Sequence, residues 1–128
     1  MAEKPRILLV DDEPSIVKVV TKRLEVEGYE VLIAMDGQEA LRLAQQAHPA
    51  LIILDIMLPK LNGYEVCRLL KFDQKFQHIP ILMFTAKAQE KDEELARECG
   101  ADAYLRKPFK APELLEHMAT LLRQPPSA

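Results

Sequence analysis

The sequence predicts an α/β fold in which a doubly wound, five-stranded parallel sheet carries helices on both faces. Five short apolar runs alternate with longer segments whose apolar residues recur at helical spacing. The runs lack the polar alternation of half-exposed strands, which is typical of parallel strands buried on both faces. Because parallel strands are joined by right-handed crossovers, we expect five strand–helix units with strand order 2-1-3-4-5.

Each predicted strand is one of the apolar runs, and the last is the shortest and weakest. In chain order the predicted strands cover residues 7–10, 31–34, 51–54, 81–84 and 103–105. The predicted helices cover residues 14–27, 38–47, 63–72, 89–99 and 112–123.

Local signals support the helices in turn. Pro14 suits the first turn of the first helix. Asp36 with Glu39 three positions on forms a variant of the capping box before the second. Asn62 precedes the third helix, and Gly100 suits a left-handed cap after the fourth. The last segment has an apolar stripe on one side, as expected for a helix packed on a sheet.

Length and composition favour one globular domain. The chain has 128 residues, of which 48% are hydrophobic and 29% charged. We assign residues 1–123 to the domain and residues 124–128 to a terminal tail or linker stump, because two prolines there prevent a helix from continuing. A net charge of −3 without a Lys/Arg-rich run argues against direct nucleic-acid binding by this domain.

Cysteine content and hydropathy indicate the compartment. Cys67 and Cys99 are too few for a disulfide framework, and we interpret both as reduced core residues rather than a redox pair. The amino terminus leads straight into a strand pattern, and every apolar run is far shorter than the roughly 20 residues that span a bilayer. We therefore expect a cytoplasmic protein that does not bind membranes.

Chemically active side chains follow the predicted strands at one edge of the sheet, where open α/β sheets form their sites. Asp11 and Asp12 follow the first strand, and Asp55 ends the third. Since these strands are neighbours in the predicted order, the three carboxylates should converge. Thr85 and Lys107, which end the fourth and fifth strands, should lie alongside.

This set of residues suits phosphoryl transfer. Crowded carboxylates repel one another unless a cation enters, and Mg²⁺ prefers such oxygen ligands. An aspartate can accept a phosphoryl group as an acyl phosphate, while a lysine and a hydroxyl neutralise that group. Alone, Asp11 could cap a helix and Lys107 could be a solvated surface residue. Their joint placement at successive strand ends favours the functional interpretation.

Over essentially its whole length the chain resembles the receiver domain of two-component response regulators. The resemblance implies a flavodoxin-like arrangement of the sheet and phosphorylation of Asp55 by the phosphohistidine of a histidine kinase or phosphotransfer protein. It also implies a signalling domain that catalyses only its own phosphorylation and dephosphorylation. The motifs that carry the resemblance are Leu9-Val10-Asp11-Asp12-Glu13, Leu54-Asp55-Ile56-Met57-Leu58-Pro59 with Asn62-Gly63, Thr85-Ala86 and Lys107-Pro108-Phe109.

The resemblance also implies a ligand set for Mg²⁺. Asp12 and Asp55 would bind the ion directly, the backbone carbonyl of Met57 would be the third protein ligand, and Asp11 would act through water.

The resemblance further implies how a phosphoryl group is held and detected. Thr85 and Lys107 would hold its oxygens, and Tyr104 lies at the switch-aromatic position. We expect a downstream effector protein or domain to bind the face formed by segment 89–99, the strand with Tyr104 and the last helix. Relatives that dimerise through this face use an arginine in the last helix. Here Glu113 is present but His117 replaces that arginine, which leaves a phosphorylation-dependent homodimer open.

Two other classes of protein share parts of this pattern. Phosphatases of the haloacid dehalogenase type use the same chemistry but place a second aspartate two residues after the nucleophile, where this chain has Met57. A flavodoxin-type binding module would need phosphate-cradling loops, and the four glycines form no Gly-rich loop.

Overall fold

The computed structural model describes residues 4–85, 94 and 97–123, with the backbone alone at Thr85. The strands are β1 (Arg6–Val10), β2 (Glu30–Ala34), β3 (Leu51–Asp55), β4 (Ile81–Thr85) and β5 (Ala103–Arg106). The helices in this part of the chain are α1 (Pro14–Val26), α2 (Gly37–Ala47), α3 (Gly63–Lys71) and α4 (Ala111–Arg123). These bounds confirm the corresponding predictions to within one residue at each end. The predicted helix over 89–99 falls largely outside the described residues, although residues 94, 97 and 98 are helical.

The five strands form one parallel sheet in the order β2-β1-β3-β4-β5, which confirms the predicted topology. At its carboxyl edge Val10 pairs with both Ala34 and Leu54. Asp55 is paired with Phe84 in β4. All strand carboxyl ends therefore meet at one edge, with β1 and β3 at its centre.

Helices cover both faces of the sheet, so the inner strands β1, β3 and β4 are buried on both sides, whereas the edge strands β2 and β5 are partly exposed. One apolar cluster packs β-strand side chains such as Ile52 and Leu54 against α2 and α3. A second packs Leu51 and Ile53 against α1 and α4. All five residues of β3 are buried. Each leucine or isoleucine buried in this way contributes roughly 1.5–3 kcal/mol, which explains why the strands are apolar without alternation.

Helix ends follow the local sequence signals. The Asp36 side chain accepts a hydrogen bond from the Glu39 amide at 2.8 Å, as the capping-box pattern predicts. Asn62 caps α3 in the same way, accepting from the Glu65 amide at 3.0 Å. Gly100 has a φ of +89°, the left-handed conformation that glycine adopts without strain.

Both cysteines are free and buried, which confirms that they are core residues. Of the helices described, none is both long and apolar enough to cross a membrane.

Candidate functional site

The carboxyl edge of the sheet brings together the three predicted carboxylates. Asp11, Asp12 and Asp55 each offer an oxygen that lies within 4.8 Å of those of the other two. Asp11 is fully buried and Asp55 is 3% exposed, whereas Asp12 is exposed. The chain order of the strands produces this cluster, because Asp11 and Asp12 leave β1 beside the end of β3.

Lys107 reaches into the same cluster directly after β5. Its Nζ lies 2.9 Å from Asp11 Oδ2 and 3.5 Å from Asp55 Oδ2. The lysine side chain is only 10% exposed, so it is a site residue by geometry and not a solvated surface lysine. The Lys107–Pro108 peptide bond is cis.

Two contacts of Lys107 were not anticipated from the sequence. Glu13 Oε1 lies 4.0 Å from the lysine Nζ and adds another negative charge. The ring of Phe84 lies 5.7 Å from Nζ, within cation–π range, and packs against Phe109 at a centroid distance of 4.6 Å. Phe109 belongs to the Lys107-Pro108-Phe109 motif, but its packing against Phe84 beneath the lysine is evident only from the structure.

Asp11 organises the turn between β1 and α1. Its Oδ1 accepts a hydrogen bond from the Glu13 amide at 2.9 Å, and its Oδ2 accepts one from Lys107. The N-cap residue of α1 is Glu13, whose side chain makes no capping bond. Asp11 therefore does not cap α1; it shapes the turn before the helix and takes part in the site.

Asp55 is a buried carboxylate whose negative charge is only partly balanced by its described neighbours. Among the residues that the structure describes, the Met57 amide donates to Asp55 Oδ1 at 3.3 Å. Burial, and next the charge of Asp11, raise the pKa of Asp55 to about 6, although Lys107 and the Met57 amide act in the opposite direction. A cation bound beside this carboxylate would favour its charged form.

Lys107 keeps its charge in this setting. Burial alone would lower the pKa of Lys107, but the hydrogen bond to Asp11 and the charges of Asp55, Asp11 and Glu13 outweigh it. The pKa of the lysine therefore lies above its usual value, and the site contains a permanent positive charge beside Asp55.

The loop after β3 is closed tightly around the end of the strand. Ile56 O accepts hydrogen bonds from the Leu58 amide at 3.1 Å and the Gly63 amide at 2.9 Å. A Cβ at Gly63 would lie 2.3 Å from Asp55 O, so only glycine permits this approach. The Asn62-Gly63 pair in the sequence was the available signal for that contact. The Met57 side chain is 70% exposed at the mouth of the loop.

Thr85 and Tyr104 are described to different extents. The backbone of Thr85 ends β4 and pairs with Arg106, one step beyond the pairing of Asp55 with Phe84. The Thr85 side chain lies outside the described part, as do Ala86 and Lys87. Tyr104 in β5 is partly buried and packs against the cluster beneath α2 and α3.

The donors at this edge fit a hard divalent cation. Carboxylate oxygens are the ligands that Mg²⁺ prefers, and within the described part of the chain the acids around Lys107 outnumber the one lysine that pairs with them. The exposed position of Asp12 leaves the cluster open to solvent on one side, which suits an ion that retains water ligands.

Sequence comparison gives a family for this arrangement. The family model for the response regulator receiver domain matches residues 7–119. Among curated relatives, the DNA-binding dual master transcriptional regulator RpaA of Synechocystis is 46% identical over 94% of this chain and 50% of its own length. The alkaline phosphatase synthesis transcriptional regulatory protein PhoP of Bacillus subtilis is 50% identical over 93% of this chain and 49% of its own. This chain thus spans about half the length of these relatives.

Solved structures agree with the sequence match. The chemotaxis protein CheY4 of Vibrio cholerae superposes with a TM-score of 0.86 at 34% identity, covering 92% of this chain and 98% of that one. The receiver domain of a sensor histidine kinase from Pseudomonas aeruginosa, with a magnesium ion coordinated in its active-site cleft, gives a TM-score of 0.88 at 33% identity. That match covers 94% of this chain and 99% of the other. The chain therefore belongs to the receiver domain family of response regulators.

Proposed function

We propose that this domain accepts a phosphoryl group on Asp55 from the phosphohistidine of a histidine kinase or phosphotransfer protein, in a reaction that requires Mg²⁺. The single observation that carries the proposal is the position of Asp55, a buried carboxylate with a raised pKa between Asp11 and Lys107. The domain is a signalling module that catalyses only its own phosphorylation and dephosphorylation. We assign this role to residues 1–123 and a tail or linker role to residues 124–128.

In the reaction, an Asp55 carboxylate oxygen attacks phosphorus and forms an acyl phosphate. The bond from phosphorus to the donor imidazole nitrogen breaks, and its electron pair stays on that nitrogen. Asp55 must be ionised to attack, and its pKa of about 6 leaves it mostly ionised at neutral pH even before a cation binds. The acyl phosphate carries more negative charge than the carboxylate that it replaces, so the product depends on positive charge from Lys107 and from a bound cation.

Lys107 and Thr85 hold the transferred group in this proposal. The Lys107 ammonium, 3.5 Å from Asp55 Oδ2, is close enough to pair with phosphoryl oxygens attached there. Thr85 ends the strand next to Asp55 and would donate its hydroxyl to another of those oxygens.

Asp12, Asp55 and the Met57 carbonyl would hold Mg²⁺, which neutralises phosphoryl charge when bound. The two oxygens of Asp11 already accept hydrogen bonds from Lys107 and the Glu13 amide, which supports an indirect role for Asp11, through water. The magnesium ion in the cleft of the Pseudomonas relative supports the choice of metal.

Phosphorylation would be detected at the face around Tyr104. A groove there is lined by charged and aromatic side chains, among them Arg97, Tyr104, Arg106, Glu113 and His117. The proposed switch moves Thr85 toward the phosphoryl group and Tyr104 into the vacated space, a shift between two pre-existing states.

The proposed partner of this face is an effector protein or domain, or a second phosphorylated copy of the chain. The curated relatives are transcriptional regulators about twice as long, so regulation of transcription in the cytoplasm is the proposed context. In that arrangement DNA binding belongs to the effector and not to this acidic domain.

Acetyl phosphate, a small phosphoryl donor, tests the proposal on the intact chain. With Mg²⁺ we expect intact mass to rise by one phosphoryl group per chain and then stop, and we expect no phosphorylation with a chelator present. Continuous release of phosphate from many phosphomonoesters, without a stable phosphorylated protein, would contradict a receiver and indicate an aspartate-nucleophile phosphatase.

A further inference from the structure

Helix α3 and the turn that precedes β5 meet through their cysteines. Cys67 and Cys99 are 0% and 1% exposed. The Cys67 thiol donates to the backbone oxygen of Cys99 at 3.4 Å. Cys99 Sγ lies 3.7 Å from Met83 Sδ. The Cys67 sulfur thus lies against the backbone of Cys99, and both side chains are buried in the same apolar cluster.

The two thiols are chemically unequal. The hydrogen bond from Cys67 lowers the pKa of Cys99, while the same bond, followed by burial, raises the pKa of Cys67. These directions favour the thiolate, which is the nucleophilic form, at Cys99 rather than at Cys67.

The backbone at Cys99 runs along the surface although its side chain points inward. Arg97, Glu98 and Gly100 around it are exposed, and Gly100 has a φ of +89° at the turn into β5. A small local opening of this turn therefore brings the Cys99 sulfur into contact with solvent.

We propose that Cys67 and Cys99, which are free thiols in this structure and were not expected from the sequence to act as a redox pair, form an intramolecular disulfide when the protein meets a peroxide. The Cys99 thiolate attacks one peroxide oxygen, the O–O bond breaks, and hydroxide leaves, which gives a sulfenic acid. The Cys67 sulfur then attacks the sulfenic sulfur, the S–O bond breaks, and that oxygen leaves as water with the thiol proton. The two thiols lose two electrons in total, and hydrogen peroxide is reduced to two waters.

This disulfide would oppose the conformational change that phosphorylation produces, a consequence that rests on the proposed function. Helix α3 starts at Gly63, directly after the loop that follows Asp55. The turn at Cys99 leads into β5, which carries Tyr104. A covalent link between the helix and the turn would hold segment 97–99 in place and oppose its rearrangement on phosphorylation.

Treatment of the unphosphorylated chain with hydrogen peroxide tests the disulfide itself. We expect both thiols to become unreactive together, with an intact mass lower by two hydrogens, recovered fully by dithiothreitol, and no change in monomer size. The matched variants Cys67→Ser and Cys99→Ser should lose this mass change. Formation of disulfide-linked dimers, or addition of oxygen to one cysteine without loss of the other thiol, would overturn the proposal.

NMR with beryllofluoride, a phosphoryl mimic, separates the disulfide from its consequence. In the reduced protein the shifts should reach Tyr104, and in the oxidised protein they should shrink by at least half there while persisting around Asp55. Equal shifts at Tyr104 in both forms would refute the proposal that the disulfide opposes the conformational change. If the reduced protein shows no shift at Tyr104, the proposed switch fails, while the mass measurements still decide whether the disulfide forms.

Discussion

Two lysine–aspartate pairs, each with a mostly buried lysine, lie at opposite ends of the sheet, and they differ in how completely their charges are satisfied. At the amino end, Lys71 Nζ lies 2.6 Å from Asp102 Oδ2 and donates to the backbone oxygens of Ile79 at 2.8 Å and Gln77 at 3.1 Å. Asp102 in turn accepts from the Ile81 amide at 2.8 Å. The three N–H donors of the ammonium thus meet three acceptors, and the pair is complete in itself.

At the carboxyl end the balance is different. Lys107 is also 10% exposed, but it faces Asp11, Asp55 and Glu13 at once. The pKa of Asp55 is raised there, whereas the acid at the amino end has a lysine and a backbone amide of its own. A mostly buried lysine therefore indicates a structural ion pair when its hydrogen bonds are complete, and indicates a functional site when more than one acid shares its charge.

Removal of the satisfied lysine should cause the largest loss of stability. Lys71→Met leaves Asp102 without its lysine and two backbone oxygens without this donor; because the Asp102 side chain is 32% exposed and can be hydrated, we expect a loss of about 2 kcal/mol in the free energy of unfolding. Lys75→Met, which changes an exposed lysine nearby, is the matched control and should lose less than about 0.5 kcal/mol. Urea unfolding measures both. Equal losses in the two variants would show that the Lys71 network is not a stabilising element.

Removal of the unsatisfied charge should have the opposite sign. Because the pKa of Asp55 in the folded state exceeds the unfolded value of 3.8, its protonation favours folding. This contribution is full below about pH 4 and is lost as the pH rises through about 6. In metal-free buffer at pH 7.5, Asp55→Asn should therefore raise the free energy of unfolding by about 2 kcal/mol. This value is set below the full free-energy equivalent of the rise in the pKa of Asp55.

The gain from Asp55→Asn should shrink as the pH falls toward 4, where wild-type Asp55 is protonated. Added Mg²⁺ should stabilise the wild type and not the variant. A variant less stable than the wild type at pH 7.5 without metal would contradict the charge-excess account.

Loss of the exposed carboxylate should weaken metal binding. Asp12→Ala removes a proposed direct ligand, and we expect Mg²⁺ affinity to fall about tenfold or more, equivalent to about 1.4 kcal/mol. Asp102→Asn, at the other end of the sheet, should leave that affinity unchanged. Calorimetric titration provides the comparison. Unchanged affinity in Asp12→Ala would remove this residue from the proposed ligand set.

The lifetime of the phosphoryl group should depend on two positions near the site. Met57 offers no hydrogen bond to a hydrolytic water, and Lys87, outside the described residues, cannot accept that water's proton when charged. We predict slow hydrolysis in the wild type. Met57→Asn combined with Lys87→Glu should accelerate decay by up to about tenfold, a barrier change of about 1.4 kcal/mol. The decay of phosphorylated protein after donor removal measures this, and an unchanged rate in the double variant argues against control by water access.

The sequence predicted the parts of this contrast that depend on strand order. Once the apolar runs were assigned as parallel strands, Asp11, Asp12 and Asp55 had to meet at one edge. The contact of Glu13 with Lys107 could not be predicted, because it depends on how the turn after β1 is shaped by Asp11.

The Lys71–Asp102 pair could not be predicted from the sequence either. Lys71 is the last residue of α3, and the apolar pattern of that helix does not indicate that Lys71 is buried. Its hydrogen-bond partners come from separate loops. Local patterns describe which face of an element is apolar, but they do not say which polar ends will be buried by the next element. The predicted helix over 89–99 and the side chain of Thr85 remain predictions for the same chain.

The most direct test of the central claim is where the phosphoryl group attaches. Wild-type protein, Asp55→Asn and Asp102→Asn are incubated with acetyl phosphate and Mg²⁺, and the phosphoryl group is counted and located by mass spectrometry. We expect one group on Asp55 in the wild type, the same in Asp102→Asn, and none in Asp55→Asn, which should remain folded. Undiminished phosphorylation of Asp55→Asn would contradict the account, because the uncompensated charge at the carboxyl edge would then not be the acceptor.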